Sequence, residues 1–418
     1  MRTSKLSNFY VRSGLFGILS LTGALFNYAL YPILVRILNA KEFGDFAVIV
    51  AISNQIMGIL LAFNILSIYL VKTHEEETAR KHAQVLQKFL IWLFLAVTAV
   101  MLAASPYLHT LLHVKNISSF VILALILLLA VPCVIWTGYL QGNKELVRVG
   151  GFNLSAAIGK LIFATLLAVI FGSNGGLLGI LCGTVVGLVV LWLVPGVKLP
   201  HLSSIFTKTD AQEKQFILRL KKYALMCLLV VGMLSFLQNY DIILAKALFN
   251  PSVAGVYSGI SILSNALYYV SFLLIWIILP EIKLGDRANN LRLLATGYKM
   301  LAALTVAALA VEIIFKNLLA KLLLGPGFAH QGNLLIFATL YQLTLVAITL
   351  YAYYLLVSRS RRAFLLGGIV FGLATVVPAL LANSPLEMIR MLWLSLLAAA
   401  LAYAILVKAF SLRRDSAS

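Results

Sequence analysis

Residues Ile33–Asn54 read ILVRILNAKEFGDFAVIVAISN, and residues Ile243–Asn265 read ILAKALFNPSVAGVYSGISILSN. Each is an apolar run, a short polar turn and a second apolar run. Aligned, they pair Ile33, Leu34, Arg36 and Leu38 with Ile243, Leu244, Lys246 and Leu248. After a one-residue insertion they pair Gly44, Phe46, Ser53 and Asn54 with Gly255, Tyr257, Ser264 and Asn265. Matched basic, glycine, aromatic and amide positions exceed what two apolar hairpins share by composition. The chain carries one helical hairpin twice, once in each half.

The residues around these hairpins set the class. Of 418 residues, 62% are hydrophobic and 11% charged, against roughly 45–50% and 25% in a soluble domain. A surface so short of charge belongs in a membrane. Apolar windows long enough to cross a core of about 30 Å recur about twelve times. They fall near residues 12–35, 43–70, 86–108, 117–140, 150–171, 175–195, 223–248, 254–280, 297–320, 333–357, 363–382 and 389–410. Period-two alternation is missing and the runs are too long for barrel strands. The expected fold is therefore all-α, a polytopic membrane protein of about twelve transmembrane helices in two parallel six-helix repeats. Residues 1–196 form the first bundle, 197–222 a cytoplasmic linker with an interfacial helix, and 223–418 the second bundle. Because six is even, the repeats enter the membrane the same way round, an arrangement that places a substrate site between them.

The formal net charge of +19 raises the possibility of nucleic acid. Most of the 33 Lys and Arg, however, sit in alternate loops and in both tails, as the positive-inside rule requires. Both termini are thus expected in the cytoplasm, with anionic lipid as the partner of the basic loops and no nucleic acid bound. The apolar segment behind Met1–Lys5 is longer than a signal-peptide core and reads as a retained helix. Cys133, Cys182 and Cys227 all lie inside spans, so neither a disulfide framework nor a zinc site is expected. The Gly-rich stretches FGSNGG and LGPGFAHQG read as outward turns and lack the Walker spacing, which excludes an ATP site of that type.

Five stretches in order carry a family resemblance: LVRILNAKEFGDFAVIVA, GYLQGNKELVRVGGFN, NYDIILAKALFNPSVAGVYSGISILSN, LPEI and LLLGPGF. Together they resemble the Wzx-type oligosaccharide flippases of the multidrug/oligosaccharidyl-lipid/polysaccharide exporter (MOP) superfamily, over nearly the whole chain. The resemblance implies a MATE-like fold in the cytoplasmic membrane. It further implies alternating-access flipping of an undecaprenyl-pyrophosphate-linked oligosaccharide for surface polysaccharide or O-antigen synthesis, and no enzymatic step. It implies no cofactor, a proton or sodium gradient as the driving force, a monomer, and a polysaccharide polymerase and chain-length proteins as partners. A drug or metabolite antiporter of the same superfamily is the alternative; a membrane polymerase or glycosyltransferase fits less well because the outer loops are short.

A lipid-linked sugar diphosphate needs cations in a cavity, and a charge at mid-helix costs about 2.5–3.5 kcal/mol, so each such residue is a candidate. Lys160, in SAAIGKLIFATLL, is the deepest basic residue and suits pyrophosphate as a point charge, unless it snorkels to the headgroups. Arg12 stands where the resemblance places cavity arginines. Asn27, Asn54 and Asn265 offer amides to sugar hydroxyls, as do Gln55 and Asn64, though all of them can equally hold helices together. Asp241, with Gln238 three residues back on the same helical face, is the candidate ion-coupling pair. Lys246 is assigned to an outer loop, and Glu312 and Lys316, at i and i+4, are expected to pair with each other. His109, His113 and Lys115 form an outer cluster without the carboxylate or thiolate that a metal site calls for.

Overall fold

A computed structural model describes residues 2–73, 75–193, 225, 229–278, 287–357 and 362–415. The expected interfacial helix at 197–222 lies outside them. Chain contacts divide the protein into two compact units, Met1–Leu225 and Met226–Ser418.

The first unit contains α1 (Arg2–Ile37), α2 (Ala40–Thr73), α3 (Glu76–Leu111), α4 (Ser118–Gly142) and α5 (Leu146–Leu193). The second contains α6 (Leu229–Gln238), α7 (Tyr240–Leu248), α8 (Pro251–Ile278), α9 (Arg287–Leu324), a 3-10 turn at Pro326–Phe328, α10 (Gly332–Val357), α11 (Arg362–Leu381) and α12 (Pro385–Asp415). Backbone polar groups in hydrocarbon must be satisfied within their own segment, which is why the apolar windows all fold as helices.

Nine described helices are long and apolar enough to cross a membrane, and ten if the bent pair α6–α7 counts as one crossing. The gap to the expected twelve has two causes. α11 holds a shorter apolar stretch, Leu365–Val376. α5, at 48 residues, is two helices joined at Gly172, whose φ of 59° and ψ of −136° break the helix. The stretch FGSNGG is therefore not an open loop but a hairpin turned on one residue. Only glycine adopts that backbone without strain, and a Cβ there would also stand 3.2 Å from Glu42 Oε1.

The two arms of α5 close on a seam of small residues. Gly175, Gly179, Gly183 and Gly187 recur every four residues and meet Leu167–Ala168, Ala164, Lys160 and Ala156 in turn. A Cβ on Gly179 would lie 2.1 Å from the Ala164 backbone, and one on Gly183 2.1 Å from the Lys160 backbone nitrogen. Lipid supplies no hydrophobic drive between helices, so this backbone-to-backbone approach and its dispersion contacts hold the arms together. α1 then packs along α5, and α4 packs against α2, α3 and α5. Asn64 of α2 donates to Val134 O at 3.0 Å and Thr137 Oγ1 at 3.2 Å, tying α2 to α4 where Gly138 lets them close.

The duplicated phrase encodes the same turn twice. Asn39 Oδ1 accepts from the Glu42 amide at 2.9 Å, and Asn250 Oδ1 accepts from the Val253 amide at 3.0 Å. Each is an N-cap satisfying a donor that the helix start leaves open. Phe46 and Tyr257, matched by the alignment, are both buried. In the first unit the turn is clasped further: Asp45 Oδ2 accepts from the Lys115 amide at 3.0 Å, and the Lys115 ammonium sits 3.6 Å from Glu42. Carboxylates thus do stand beside the His109–Lys115 segment, engaged with Lys115.

In the second unit α10 is the central element, packed on α8, α9, α11 and α12. Its Thr339, Tyr341, Gln342 and Thr349 are all buried. By contrast only 11% of the apolar window of α9 is buried, as a lipid-facing helix requires.

Gly179→Leu or Gly183→Leu should separate the arms of α5 and cost at least about 1–3 kcal/mol, the range for overpacking. Gly151→Ala, on the same helix with open space around it, should be neutral or stabilise by roughly 0.5–1 kcal/mol. Thermal unfolding of the detergent-solubilised protein measures both.

Candidate functional site

The seventh crossing is broken. α6 ends at Gln238, Asn239 leaves helical geometry at φ −127° and ψ 13°, and α7 restarts at Tyr240 with a 53° bend. Gln238 and Asp241 are therefore not on one helical face; they flank a break. A helix end inside a membrane exposes carbonyls that need donors. α10 supplies them: the Tyr341 hydroxyl donates to Leu237 O and Gln342 Nε2 donates to Gln238 O at 3.1 Å. Neither residue drew notice in the sequence, although a Tyr-Gln pair inside an otherwise apolar window was the available signal.

Asp241 is fully buried in the first turn of α7. Its Oδ2 accepts from the Tyr257 hydroxyl at 2.8 Å and from Ser261 Oγ, both on α8. One turn further along α8, Asn265 Nδ2 reaches Asn239 Oδ1 at 3.5 Å. The structure thus gathers three of the residues singled out in the sequence, Gln238, Asp241 and Asn265, and adds Asn239, Tyr257, Ser261, Tyr341 and Gln342.

This cluster holds several buried polar atoms beyond those bonds. Asp241 Oδ1, Asn265 Oδ1, Gln342 Oε1, Gln238 Nε2 and Asn239 Nδ2 are buried without a hydrogen-bond partner among the described residues. Each such atom costs about 1–3 kcal/mol, and native proteins hold few of them. Three are oxygens, the donor type that hard cations take. The arrangement can therefore receive a proton on Asp241 or a small hard cation shared among these oxygens.

Lys246, expected in an outer loop, is instead fully buried in the last turn of α7. The expected Glu312–Lys316 pair does not form either. The Lys316 ammonium donates to Asn333 Oδ1 at 2.7 Å, and Glu312 accepts from Thr339 Oγ1 at 2.7 Å. Helical spacing permits an i, i+4 pair, but α10 offers each side chain a better-placed neutral partner.

The other candidates lie in the first unit. Lys160 is half-buried in the α5 seam, its backbone against Gly183, with no hydrogen bond or ion pair among the described residues. Asn27 Nδ2 donates to Gly23 O of its own helix at 3.1 Å. Asn54 is half-buried on α2. Arg12 lies on α1, and its side chain is outside the described residues.

No family model matches the chain, and no curated protein matches it in sequence. Its fold does match solved structures. The lipid II flippase MurJ, in an inward closed conformation, gives a TM-score of 0.68 at 14% identity over 94% of this chain and 87% of that one. An inward-facing multidrug resistance MATE family transporter of the MOP superfamily gives 0.64 at 14% identity over 93% and 95%. The eukaryotic MATE transporter AtDTX14 gives 0.61 at 11% identity over 97% and 96%. The protein is an all-helical, multi-pass membrane protein with the fold of the MOP transporters.

Tyr257 and Ser261 serve one carboxylate oxygen, so their losses should not add. Tyr257→Phe and Ser261→Ala should each cost about 1–2 kcal/mol, and the double variant should depart from the sum by at least about 0.5 kcal/mol. Unfolding of the four proteins in one detergent gives the coupling.

Proposed function

We propose that this chain is a flippase for a lipid-linked oligosaccharide, moving an undecaprenyl-pyrophosphate-linked glycan across the cytoplasmic membrane by alternating access, with both termini in the cytoplasm. The observation that carries the proposal is Lys160: a half-buried cation at a helix seam with no anionic partner among the described residues. A charge there is costly unless an anion visits it. A pyrophosphate is such an anion, whereas a cationic drug would be repelled. Lys160 binds phosphate as a point charge, Arg12 is the second candidate cation for it, and Asn27 and Asn54 present amides to sugar hydroxyls.

In the second unit the Asp241 cluster takes the coupling ion, a proton or sodium. Asn265 is read here with that ion rather than with the sugar, because its Nδ2 reaches Asn239 Oδ1 of the same cluster. Binding of the ion engages the unpartnered oxygens of Asp241, Asn265 and Gln342 beside the α6–α7 break, which gives the broken span a lower energy when loaded than when empty. A ligand shifts a conformational equilibrium only through such a difference. The multidrug resistance MATE family transporter among the neighbours supports one other reading, a drug antiporter.

In a flippase-deficient strain complemented with this chain and its cognate glycan genes, Lys160→Ala should abolish surface glycan, and Lys160→Arg should keep part of it. Lys160→Gln should behave as Ala, all at matched protein level by immunoblot. Full glycan display from Lys160→Ala removes Lys160 from the mechanism. Drug susceptibility that changes with this chain while glycan does not would select the antiporter.

A further inference from the structure

Glu312 is, with Asp241, one of two carboxylates buried in the second unit among the described residues, and the ion site proposed above does not use it. It is 6% exposed although α9 as a whole faces outward. One oxygen is held by Thr339; Oε2 is buried with no hydrogen-bond partner among the described residues. The elements packed against α9 are α8, α10 and the turn Pro326–Phe328. None of them contains an Asp, Glu, Lys, Arg or His; their titratable side chains are tyrosines, with Tyr257, Tyr268 and Tyr341 buried, Tyr351, Tyr353 and Tyr354 half-buried and Tyr269 exposed. On its own helix the charge one turn away, Lys316, is taken by Asn333. His330, just past the turn, is exposed.

A carboxylate buried there with no cationic side chain on the described elements packed against it is favoured as the neutral acid. Its ligand set also differs from that around Asp241. Asp241 stands among several amide and hydroxyl oxygens, whereas Glu312 has one hydroxyl beside it. A metal cation needs several oxygens; a proton needs one.

The two acids are joined by α10. Thr339 holds Glu312, while Tyr341 and Gln342, on the same and the next turn, hold the carbonyls beside Asp241. Thr339 lies about 10 Å into α10 from Gly332, and Asp241 about 10 Å into α7 from Leu248. A shift of α10 disturbs both.

We propose that Glu312 is a second, proton-selective site of this unit and that its occupancy is linked through α10 to that of Asp241. The link rests on the reading of Asp241 as the ion site; the proton site does not.

The test is labelling with N,N′-dicyclohexylcarbodiimide, which attacks protonated carboxyls in apolar surroundings. It is applied to the full chain in nanodiscs across a pH series and read by peptide mass spectrometry. Wild type should carry an adduct on Glu312 that declines as pH rises and is lost in Glu312→Gln. In Asp241→Asn, where the linked site is gone, sodium at fixed pH and ionic strength should leave the Glu312 adduct unchanged; protection of Glu312 by sodium in that variant overturns proton selectivity. In Asp241→Asn the Glu312 titration should move by about fivefold or more in proton affinity. An unmoved titration overturns the link. An unlabelled Glu312 in a protein whose Asp241 does label, or a label indifferent to pH, overturns the site itself. Should glycan transport survive Asp241→Asn while Glu312 titrates as stated, the ion-site reading fails and the proton site stands.

Discussion

Water is absent from the hydrocarbon interior, so a polar group there must find its partner inside the protein or remain unpaired at a cost of several kcal/mol. Everything distinctive in this protein is a response to that constraint. The long helices satisfy it in the simplest way, by bonding each amide to its own segment. The seventh crossing departs from it at Asn239, and α10 is shaped to meet the consequence: Tyr341 and Gln342 bond the carbonyls that the break exposes. The broken helix and the central helix are thus one device.

The same constraint separates structural polar groups from functional ones. Asn64 donates twice to α4, and Asn39 and Asn250 cap the helices they precede. These amides are spent on the fold. Around Asp241 the books do not close, since several amide and carboxylate atoms are buried without a partner. That deficit is the observation on which the ion-site proposal rests.

In the first unit the binding force is geometric. Four glycines at four-residue spacing bring the arms of α5 into backbone contact, and Lys160 emerges from the middle of that seam. Its backbone cannot move without opening the hairpin, so the ammonium is presented by a rigid base.

Sequence alone determined the class, because membrane thickness converts directly into a length of apolar residues, and it showed the duplicated hairpin, because the matched polar positions survive in the text. It also pointed to Lys160, Asp241 and Gln238, since charged and amide residues in apolar windows are few enough to stand out. What it could not contain was the choice of partner. The spacing of Glu312 and Lys316 allowed a pair, and the spacing of Gln238 and Asp241 put them on one face, yet both inferences used only the geometry of a single ideal helix. The break at Asn239, the capture of Glu312 by Thr339 and of Lys316 by Asn333, the burial of Lys246 and the closing of α5 at Gly172 were decided by neighbouring helices. Hydrogen bonds between helices depend on through-space approach, which periodicity along one helix does not encode.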